Sequence, residues 1–505
     1  MEVFLKALAL VADPQVLVVM VLSAVFGLFV GAIPGLTATM ATALLVPVTF
    51  FMPPVPALAA IVTATAMAIF AGDIPGAMLR MPGTPASAAY ADESYQMARK
   101  GQLTLNLGVN LVFSVAGGLV GVAFLILAAP HLAEAALNFS SFEYFWLALL
   151  GLSSATLIST GDRTKAFLST LIGLGLGCVG IDPMAGHPRF TYGQVDLMAG
   201  ISMIPTMIGA FALSELLRTS AEASELQAPI GEKIGQLFRG VGEVARKYWV
   251  NFVRGSLLGT AIGALPGAGA DIAAWMAYAS ARRFSAEPEK FGTGHVEGVT
   301  ESTAANNAAL GGAWIPALVF GIPGDSITAI VIGVLYMKGM NPGPSVFLQN
   351  PQFIDAVFIV FVLANLLMLP FGYLAIRGAQ RLLRVPRSML VPMILLFCIV
   401  GSYAMTNSAY GIVLMLIFGL VGWWLEDHGI PVAPLILGLV LGELLEQSFM
   451  SSLIKADGEL LAFFTRPIAG VLGVITLAVW GAILLSGLRK PSPTGTGFDP
   501  HCDPQ

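Results

Sequence analysis

The segment Gly27-Leu-Phe-Val-Gly-Ala-Ile-Pro-Gly35 carries three glycines spaced four residues apart and ends in a Pro-Gly pair. The same pattern returns in the second half of the chain as Gly259-Thr-Ala-Ile-Gly-Ala-Leu-Pro-Gly267. Each copy is followed by another Pro-Gly inside apolar sequence, in Met81–Ser87 and in Ile322–Thr328. Helix-breaking pairs at matching positions of two hydrophobic halves are typical of transporters, in which broken membrane helices form the substrate site. The pattern therefore predicts two repeats with broken helices.

The composition places the chain in a lipid bilayer. Of its 505 residues, 56% are hydrophobic and 11% are charged, whereas soluble domains carry about 25% charged residues. The net charge is −5, and the sequence contains no basic tract, which argues against nucleic-acid binding. The three cysteines and five histidines are scattered, and they match neither a disulfide framework nor a zinc site. We therefore expect an all-α polytopic membrane protein without a metal cofactor.

The apolar segments divide into two halves. A full crossing needs about 20 apolar residues, and several segments are too short or too rich in Gly and Pro to cross fully. We expect roughly ten to twelve transmembrane helices together with re-entrant hairpins. The predicted organisation is a first membrane half, a polar linker, a second membrane half and a disordered tail, at residues 1–213, 214–251, 252–490 and 491–505.

The positions of basic residues predict that the two repeats have inverted topology. The loop Phe50–Pro56 has no charge, whereas its counterpart in the second repeat contains Arg282, Arg283 and Lys290. Further on, the first repeat has a basic pair at Arg99–Lys100, where its counterpart has a single lysine. Basic loops favour the cytoplasm, so equivalent loops are expected on opposite faces of the membrane.

The Pro-Gly motifs supply the candidate site. Proline removes a backbone donor and glycine relaxes the helix, which exposes carbonyls that a membrane tolerates only inside protein or around a water-filled cavity. Amides at a half-helix N-terminus attract anions, and hydroxyls, unwound carbonyls and a carboxylate suit Na⁺. Tight turns with local capping would use the same residues. The candidate residues at the breaks and hairpins are Pro34, Gly35, Pro266, Gly267, Gly83, Thr84, Ser87, Gly324, Asp325, Ser326 and Thr328.

Four further polar residues stand at or near membrane depth. Asn306 and Asn307 enter an apolar segment near an expected helix break, where they could bind a carboxylate or simply join helices. Asp73 and Asp271 are ionisable groups, which are expensive in a membrane and mark functional sites. Each could bind Na⁺ or a proton, or cap a half-helix. Asp92 and Glu93, by contrast, are expected in a loop at the membrane surface.

At these same motifs the chain resembles the large membrane subunit (TctA type) of the tripartite tricarboxylate transporters. The resemblance covers most of the chain. Asp73 and Asp325 depart from the pattern, since small neutral residues are expected there. The matching stretches are Gly31–Leu36, Pro82–Ser87, Ala98–Gly101, Leu265–Gly269, Asp271–Trp275, Phe291–Gly294, Glu297–Val299, Asn306–Ala308, Ile322–Gly324 and Asn341–Pro344.

The resemblance implies a multi-pass protein of the bacterial inner (cytoplasmic) membrane. It would work with a small membrane subunit (TctB type) and a periplasmic solute-binding protein (TctC type), and it would use a Na⁺ or H⁺ gradient to import citrate-like organic carboxylates. We expect the hairpins and breaks to meet near the membrane midplane, with Asp325 and Asp271 as Na⁺ ligands. No enzymatic activity is expected.

Three other classes fit less well. A primary pump would need a Gly-x4-Gly-Lys-Ser/Thr phosphate loop, which this chain lacks. An intramembrane aspartyl protease would need two carboxylates that share a proton, and no convincing partner accompanies Asp271. A carboxylate channel without ion coupling remains the alternative to a carrier.

Overall fold

The computed structural model describes residues 2–158, 162–182, 184–221, 235–383 and 387–488. Nearly all regular structure in these ranges is helical, and a two-residue hairpin of β1 (Gly180–Ile181) with β2 (Pro188–Arg189) is the sheet found there. The prediction of an all-α protein is confirmed. The tail 491–505 lies outside the described residues. The helices are α1 Glu2–Val11, α2 Pro14–Gly31, α3 Ala38–Phe50, α4 Pro54–Ala71, α5 Asp73–Leu79, α6 Ala88–Met97, α7 Leu103–Ala136, α8 Ser141–Ile158, α9 Arg163–Gly177, α10 Met203–Met207, α11 Ser214–Ala221, α12 Val241–Lys247, α13 Trp249–Gly263, α14 Gly269–Phe284, α15 Val296–Phe320, α16 Ser326–Met337, α17 Pro344–Gln349, α18 Pro351–Leu382, α19 Arg387–Thr406, α20 Ala409–Asp427, α21 Val432–Lys455, α22 Ala462–Thr465 and α23 Pro467–Leu488.

Within the described ranges, six helical segments are long and apolar enough to cross a membrane, which confirms a polytopic membrane protein. Shorter apolar helices accompany them, as expected for half-helices. The predicted total of ten to twelve crossings stays a prediction. The six long segments are Pro14–Gly31, Pro54–Leu79, Ala88–Ala136, Pro351–Ala379, Ala409–Asp427 and Val432–Lys455, and the shorter ones are Ala38–Phe50, Ser326–Met337, Val391–Thr406 and Pro467–Gly481.

The two glycine ladders form equivalent helix contacts. On α2, Gly27 and Gly31 lie against the backbone of α4 at Ala64 and Ala68, and a Cβ at either glycine would collide with a carbonyl oxygen. On α13, Gly259 and Gly263 lie in the same way against α15, at Ala305 and Ala309. Small residues let membrane helices approach closely where apolar side chains gain nothing by leaving lipid. The glycine ladders therefore form equivalent helix pairs in the two halves, α2 with α4 and α13 with α15.

The hairpin helices are exchanged between the halves. Helix α6 of the first half packs against α14 and α15 of the second, whereas α16 packs against α3 and α4 of the first. The long helices follow the same rule, because α7 packs on α15 and α18 packs on α4. This reciprocal arrangement supports two structural repeats. Their inverted orientation relative to the membrane stays a prediction.

Polar contacts hold each hairpin helix to the other half. Beyond α16, the Lys338 ammonium donates to the carbonyl oxygens of Phe50 and Met52 at 2.8 and 2.6 Å. Beyond α6, Lys100 donates to the carbonyl oxygen of Thr293 at 2.5 Å. The two lysines therefore fasten equivalent loops, each of which precedes a buried helix of the opposite half.

Part of the predicted linker is helical. Within 214–251, the described residues form α11, α12 and the first turn of α13, while residues 222–234 lie outside the described residues. Helix α11 contacts α19 and α20. The chain therefore remains packed into the helical body beyond residue 213, and the domain boundaries predicted from the sequence stay a prediction.

Candidate functional site

The broken segments of both halves surround one interior cavity of about 440 Å³. Four helices present their N-terminal residues to it: α3 through Thr37–Thr39, α14 through Gly267–Ile272, α16 through Asp325–Ile327, and α21 through Pro431–Pro434. The hairpin residues Thr84, Pro85 and Ala86, just before α6, also line it. The exposed N–H groups and the dipole at a helix N-terminus favour negative charge. The cavity thus collects positive helix ends from both halves.

Each hairpin turn rests on the end of a glycine ladder. A Cβ built on Gly83 would lie 2.7 Å from the carbonyl oxygen of Gly31, and one on Gly324 would lie 2.9 Å from the carbonyl oxygen of Gly263. The two predicted hairpin glycines therefore occupy equivalent positions in tightly packed turns. Because any side chain would push the hairpin away from the break, both glycines shape the cavity without lining it.

Both hairpins form reciprocal capping boxes. The Thr328 N–H donates to the Asp325 carboxylate at 2.8 Å, and the Asp325 N–H donates to the Thr328 hydroxyl at 2.8 Å. In the first half, Thr84 and Ser87 exchange the same two bonds at 3.1 Å. The hydroxyls of Ser87 and Thr328 are buried inside these boxes and are not presented to the cavity. Local capping thus explains these two residues.

The two Pro-Gly breaks lie in the turns between α2 and α3 and between α13 and α14. Gly35 and Gly267 adopt φ of 89° and 81°, a left-handed conformation that glycine adopts without steric cost. Of these break residues, Gly267 lines the cavity, whereas Pro34, Gly35 and Pro266 lie behind it. The carbonyl oxygen of Pro266 accepts a hydrogen bond from the Ser154 hydroxyl of α8. One carbonyl group that the break was predicted to expose is therefore hydrogen-bonded within the protein.

The cavity wall carries more negative than positive side chains. Asp271 and Asp325 both line it, and Asp325 lies against the left-handed Gly269. Two glutamates and one arginine complete the charged lining, so that four carboxylates face one guanidinium. The five groups are Glu215, Asp271, Asp325, Glu426 and Arg218.

Asn306 and Asn307 are neighbours on one helix but have different surroundings. Both residues lie within the continuous helix α15, whose small residues pack between α7, α13 and α14. Asn306 faces the cavity, and its amide Nδ2 donates to the Tyr90 hydroxyl at 3.2 Å. Asn307 does not line the cavity, and both side chains are buried, since Asn306 is 0% and Asn307 2% exposed. Adjacent residues on a helix point in different directions, which separates the pair.

Six of the fourteen predicted residues line the cavity and eight do not. The lining residues are Thr84, Gly267, Asp271, Asn306, Asp325 and Ser326. The others are Pro34, Gly35, Gly83, Ser87, Pro266, Asn307, Gly324 and Thr328. Among the described residues, no group of three or more His, Cys, Asp or Glu could hold a metal ion. Whether Asp271 and Asp325 bind Na⁺ therefore stays a prediction.

Sequence reasoning missed several lining residues. Arg218 and Glu215 lie three residues apart and pair at 2.6 Å on α11, inside the segment that the sequence assigned to the linker. The available signal was this charged pair directly after an apolar segment. Glu426, at the end of α20, carried no motif, because its place in the wall depends on how α20 packs against α10 and α11. The residues missed also include Thr37, Thr39 and Trp275.

Comparison with known proteins agrees with the motif pattern. The family model described as "Tripartite tricarboxylate transporter TctA family" matches residues 17–437. An uncharacterized 52.8 kDa protein in the TAR-I ttuC' 3' region of Agrobacterium vitis is 33% identical over 464 residues, which cover 92% of each chain. An uncharacterized protein in the TAR-II ttuC' 3' region of the same organism is 34% identical over 232 residues, covering 46% of this chain and 96% of that protein.

No solved structure matches the chain significantly. The family match spans the two Pro-Gly breaks, both hairpins and every predicted site residue. It also contains all the charged residues of the cavity wall. The chain therefore belongs to the tripartite tricarboxylate transporter TctA family.

Proposed function

We propose that this membrane subunit is the translocation subunit of a secondary active importer of di- and tricarboxylates. It is driven by a Na⁺ or H⁺ gradient and takes its substrate from a periplasmic solute-binding protein. A small membrane subunit of the TctB type completes the complex in the bacterial inner membrane. The observation that carries the proposal is the convergence of helix N-termini from both halves on one cavity that also contains carboxylates.

The helix ends supply an anion site that needs few charged side chains. Free N–H groups at a helix N-terminus bind carboxylate or phosphate, and the dipole contributes about 0.3–1 kcal/mol per helix, or about 2 kcal/mol when partly buried. The cavity collects four of these ends, so that separate carboxylates of one substrate can each meet one. A volume near 440 Å³ is suitable for a small organic acid.

The carboxylates in the wall favour ion coupling over a simple channel. A polyanion that enters beside Asp271 and Asp325 is repelled unless cations enter with it or protons neutralise the wall. Co-binding of Na⁺ or H⁺ would remove this repulsion, and the bound substrate would in turn stabilise the cations. This mutual dependence is the thermodynamic basis of symport. Arg218 offsets one of the four wall charges.

The experiment is uptake of radiolabelled di- and tricarboxylates, aromatic acids included, into proteoliposomes. They hold this chain, the small subunit and the binding protein, and Na⁺ and pH gradients are imposed separately. Accumulation above the equilibrium level with one gradient is the expected result. Uptake that only equilibrates, whatever the gradient, would favour the uncoupled channel. Failure of every carboxylate with all partners present would refute the proposal.

The variant Asp325→Asn separates charge from capping. Asparagine still accepts the Thr328 N–H bond, because its side-chain oxygen replaces that of the aspartate, so we expect the hairpin to fold. We also expect gradient-driven accumulation to be lost, since the amide carries no charge to balance a cation. The matched control is Asp13→Asn, which also alters an N-cap aspartate but lies outside the cavity. Full accumulation by Asp325→Asn would remove this residue from the coupling site.

A further inference from the structure

Asp73 is a buried carboxylate that does not line the cavity. It begins α5, directly after α4, and is 2% exposed. Its Oδ1 accepts a hydrogen bond from the Tyr90 hydroxyl at 2.6 Å. Its Oδ2 is fully buried and has no hydrogen-bond partner. An ionised carboxylate in such a place is costly unless its charge is balanced.

No basic group balances Asp73 in the described part of the chain, where the ion pairs join other residues. Helix α4 contains no titratable residue, and the ionisable residues of α7, His131 and Glu134, are exposed near its far end. On α6, Asp92 pairs with Arg80, and Glu93 binds residues of the second half. The remaining ionisable residues of α6 and of the adjacent α15 are Tyr90, Tyr95, Glu297 and Glu301.

None of these four residues carries a positive charge, and the two glutamates form hydrogen bonds with other residues. Glu301 binds the Arg254 guanidinium, and Glu297 accepts hydrogen bonds from Asn251 and Ser285. Tyr95 is partly exposed, whereas Tyr90 is the residue that contacts Asp73. The residues around Asp73 therefore provide no positive charge. A small cation has to balance the charge of the ionised Asp73 carboxylate.

The contacts around Asp73 favour a proton over a metal cation. A hard metal ion needs several oxygen ligands. The Tyr90 oxygen, however, donates its hydrogen to Asp73 and accepts one from the amide Nδ2 of Asn306. The Asn306 amide thus donates to Tyr90, and the Tyr90 hydroxyl donates to the Asp73 carboxylate. A proton, by contrast, needs no ligand beyond the carboxylate oxygen to which Tyr90 already donates.

Tyr90 and Asn306 also connect Asp73 to the cavity. Asn306 borders the cavity but is itself 0% exposed, and its buried Oδ1 has no partner in the protein. Tyr90 is 1% exposed and lies between Asn306 and Asp73. The three side chains therefore form a hydrogen-bonded row from the cavity wall to a buried acid, and the row crosses from α15 of the second half to α6 and α5 of the first.

We propose that Asp73 is a proton-binding site that exchanges with the cavity through Tyr90, positioned by Asn306. In this step the Asn306 amide releases the Tyr90 oxygen, a hydronium ion that enters from the cavity gives its proton to that oxygen, and the Tyr90 hydroxyl proton moves to Asp73 Oδ1. The products are water, an intact tyrosine and a neutral Asp73, so charge and atoms balance, and the reverse step releases the proton. The site rests on the proposed function and specifies its coupling ion.

The first test does not depend on transport. Infrared difference spectra of the purified complex, recorded between high and low pH, report the C=O stretch of carboxylic acids. The expected result is a band that is present in the wild type and in Asp196→Asn, a control at an exposed carboxylate, and absent in Asp73→Asn. Identical difference spectra for wild type and Asp73→Asn, both correctly folded, would overturn the proposal.

The second test separates proton coupling from carboxylate transport. Counterflow exchange needs no gradient, so its presence in the wild type establishes carboxylate transport independently of Asp73. In Asp73→Asn we expect counterflow exchange to persist and accumulation driven by a pH gradient to be lost. In Tyr90→Phe we expect the infrared band to remain and pH-driven accumulation to slow. Wild-type accumulation driven by Na⁺ alone, or full pH-driven accumulation by Asp73→Asn, would refute the assignment.

Discussion

Two adjacent acidic residues show how much the environment decides at the residue scale. Asp92 and Glu93 were both expected in a surface loop, but they lie on helix α6. Asp92 is exposed and pairs with Arg80. Glu93 is 1% exposed and accepts hydrogen bonds from the backbone N–H groups of Gly292, Gly294 and His295. The surface-loop prediction is wrong for Glu93, because it anchors α6 to the second half.

We expect Glu93→Gln to destabilise the protein by about 1.5–3 kcal/mol, the contribution of hydrogen bonds to a charged group. The bonds from Gly294 and His295 measure 2.6 and 2.7 Å, and a neutral amide accepts them more weakly. Asp92→Asn, whose exposed pair contributes about 0–1 kcal/mol, is the matched control. Thermal unfolding in detergent measures both. Equal melting temperatures for the two variants would contradict the anchoring role.

At the scale of elements, the two glycine ladders are the best-predicted feature. A spacing of four residues puts the glycines on one face of a helix, and the structure places α2 on α4 and α13 on α15 through that face. The partner positions are alanines, such as Ala64 opposite Gly27. The ladders are therefore packing surfaces, and of the Pro-Gly pairs at their ends only Gly267 lines the cavity.

We expect Gly27→Val to lower the yield of folded protein and to destabilise it by more than the about 1–3 kcal/mol typical of overpacking. The added side chain meets the Ala64 backbone, which cannot rotate away as a side chain could. Gly378→Val is the control, since a Cβ at this position of α18 meets no atom within 4 Å. Size-exclusion profiles and melting temperatures compare them. A Gly27→Val protein as stable as the control would rule out close packing.

At the scale of the whole molecule, the halves are interlocked and not merely adjacent. Each hairpin helix packs on the opposite half, and Lys100 and Lys338 fasten it there. Any movement of a hairpin relative to its own half therefore carries along a loop of the other half. If the site opens to the two sides of the membrane in turn by movement of the hairpins, this interlocking favours coordinated movement of both hairpins.

We expect neither half to fold alone. A chain cut after residue 228 yields fragments that expose the surfaces of α15 and α4 on which the exchanged helices pack. When the fragments are expressed together, a tag on one should recover both in equal amounts after detergent extraction. Each fragment alone should be degraded or aggregated. A monodisperse, thermally cooperative single half would contradict the exchange.

Local sequence determined the membrane class, the paired ladders, and the breaks and hairpins, because each depends on composition or on Pro-Gly chemistry within a few residues. It also identified Asp271, Asp325 and Asn306 as polar groups in apolar surroundings. Tertiary packing decided which polar groups face the cavity. It separated Asn307 from Asn306 and brought Arg218 and Glu426 into the wall. Ser87 and Thr328, by contrast, are held by local capping between residues three apart. The physical reason is that the spacing of residues along the chain determines which of them share a helix face. Which helix packs against that face depends on the tertiary structure, and in this protein it is often a helix of the opposite half.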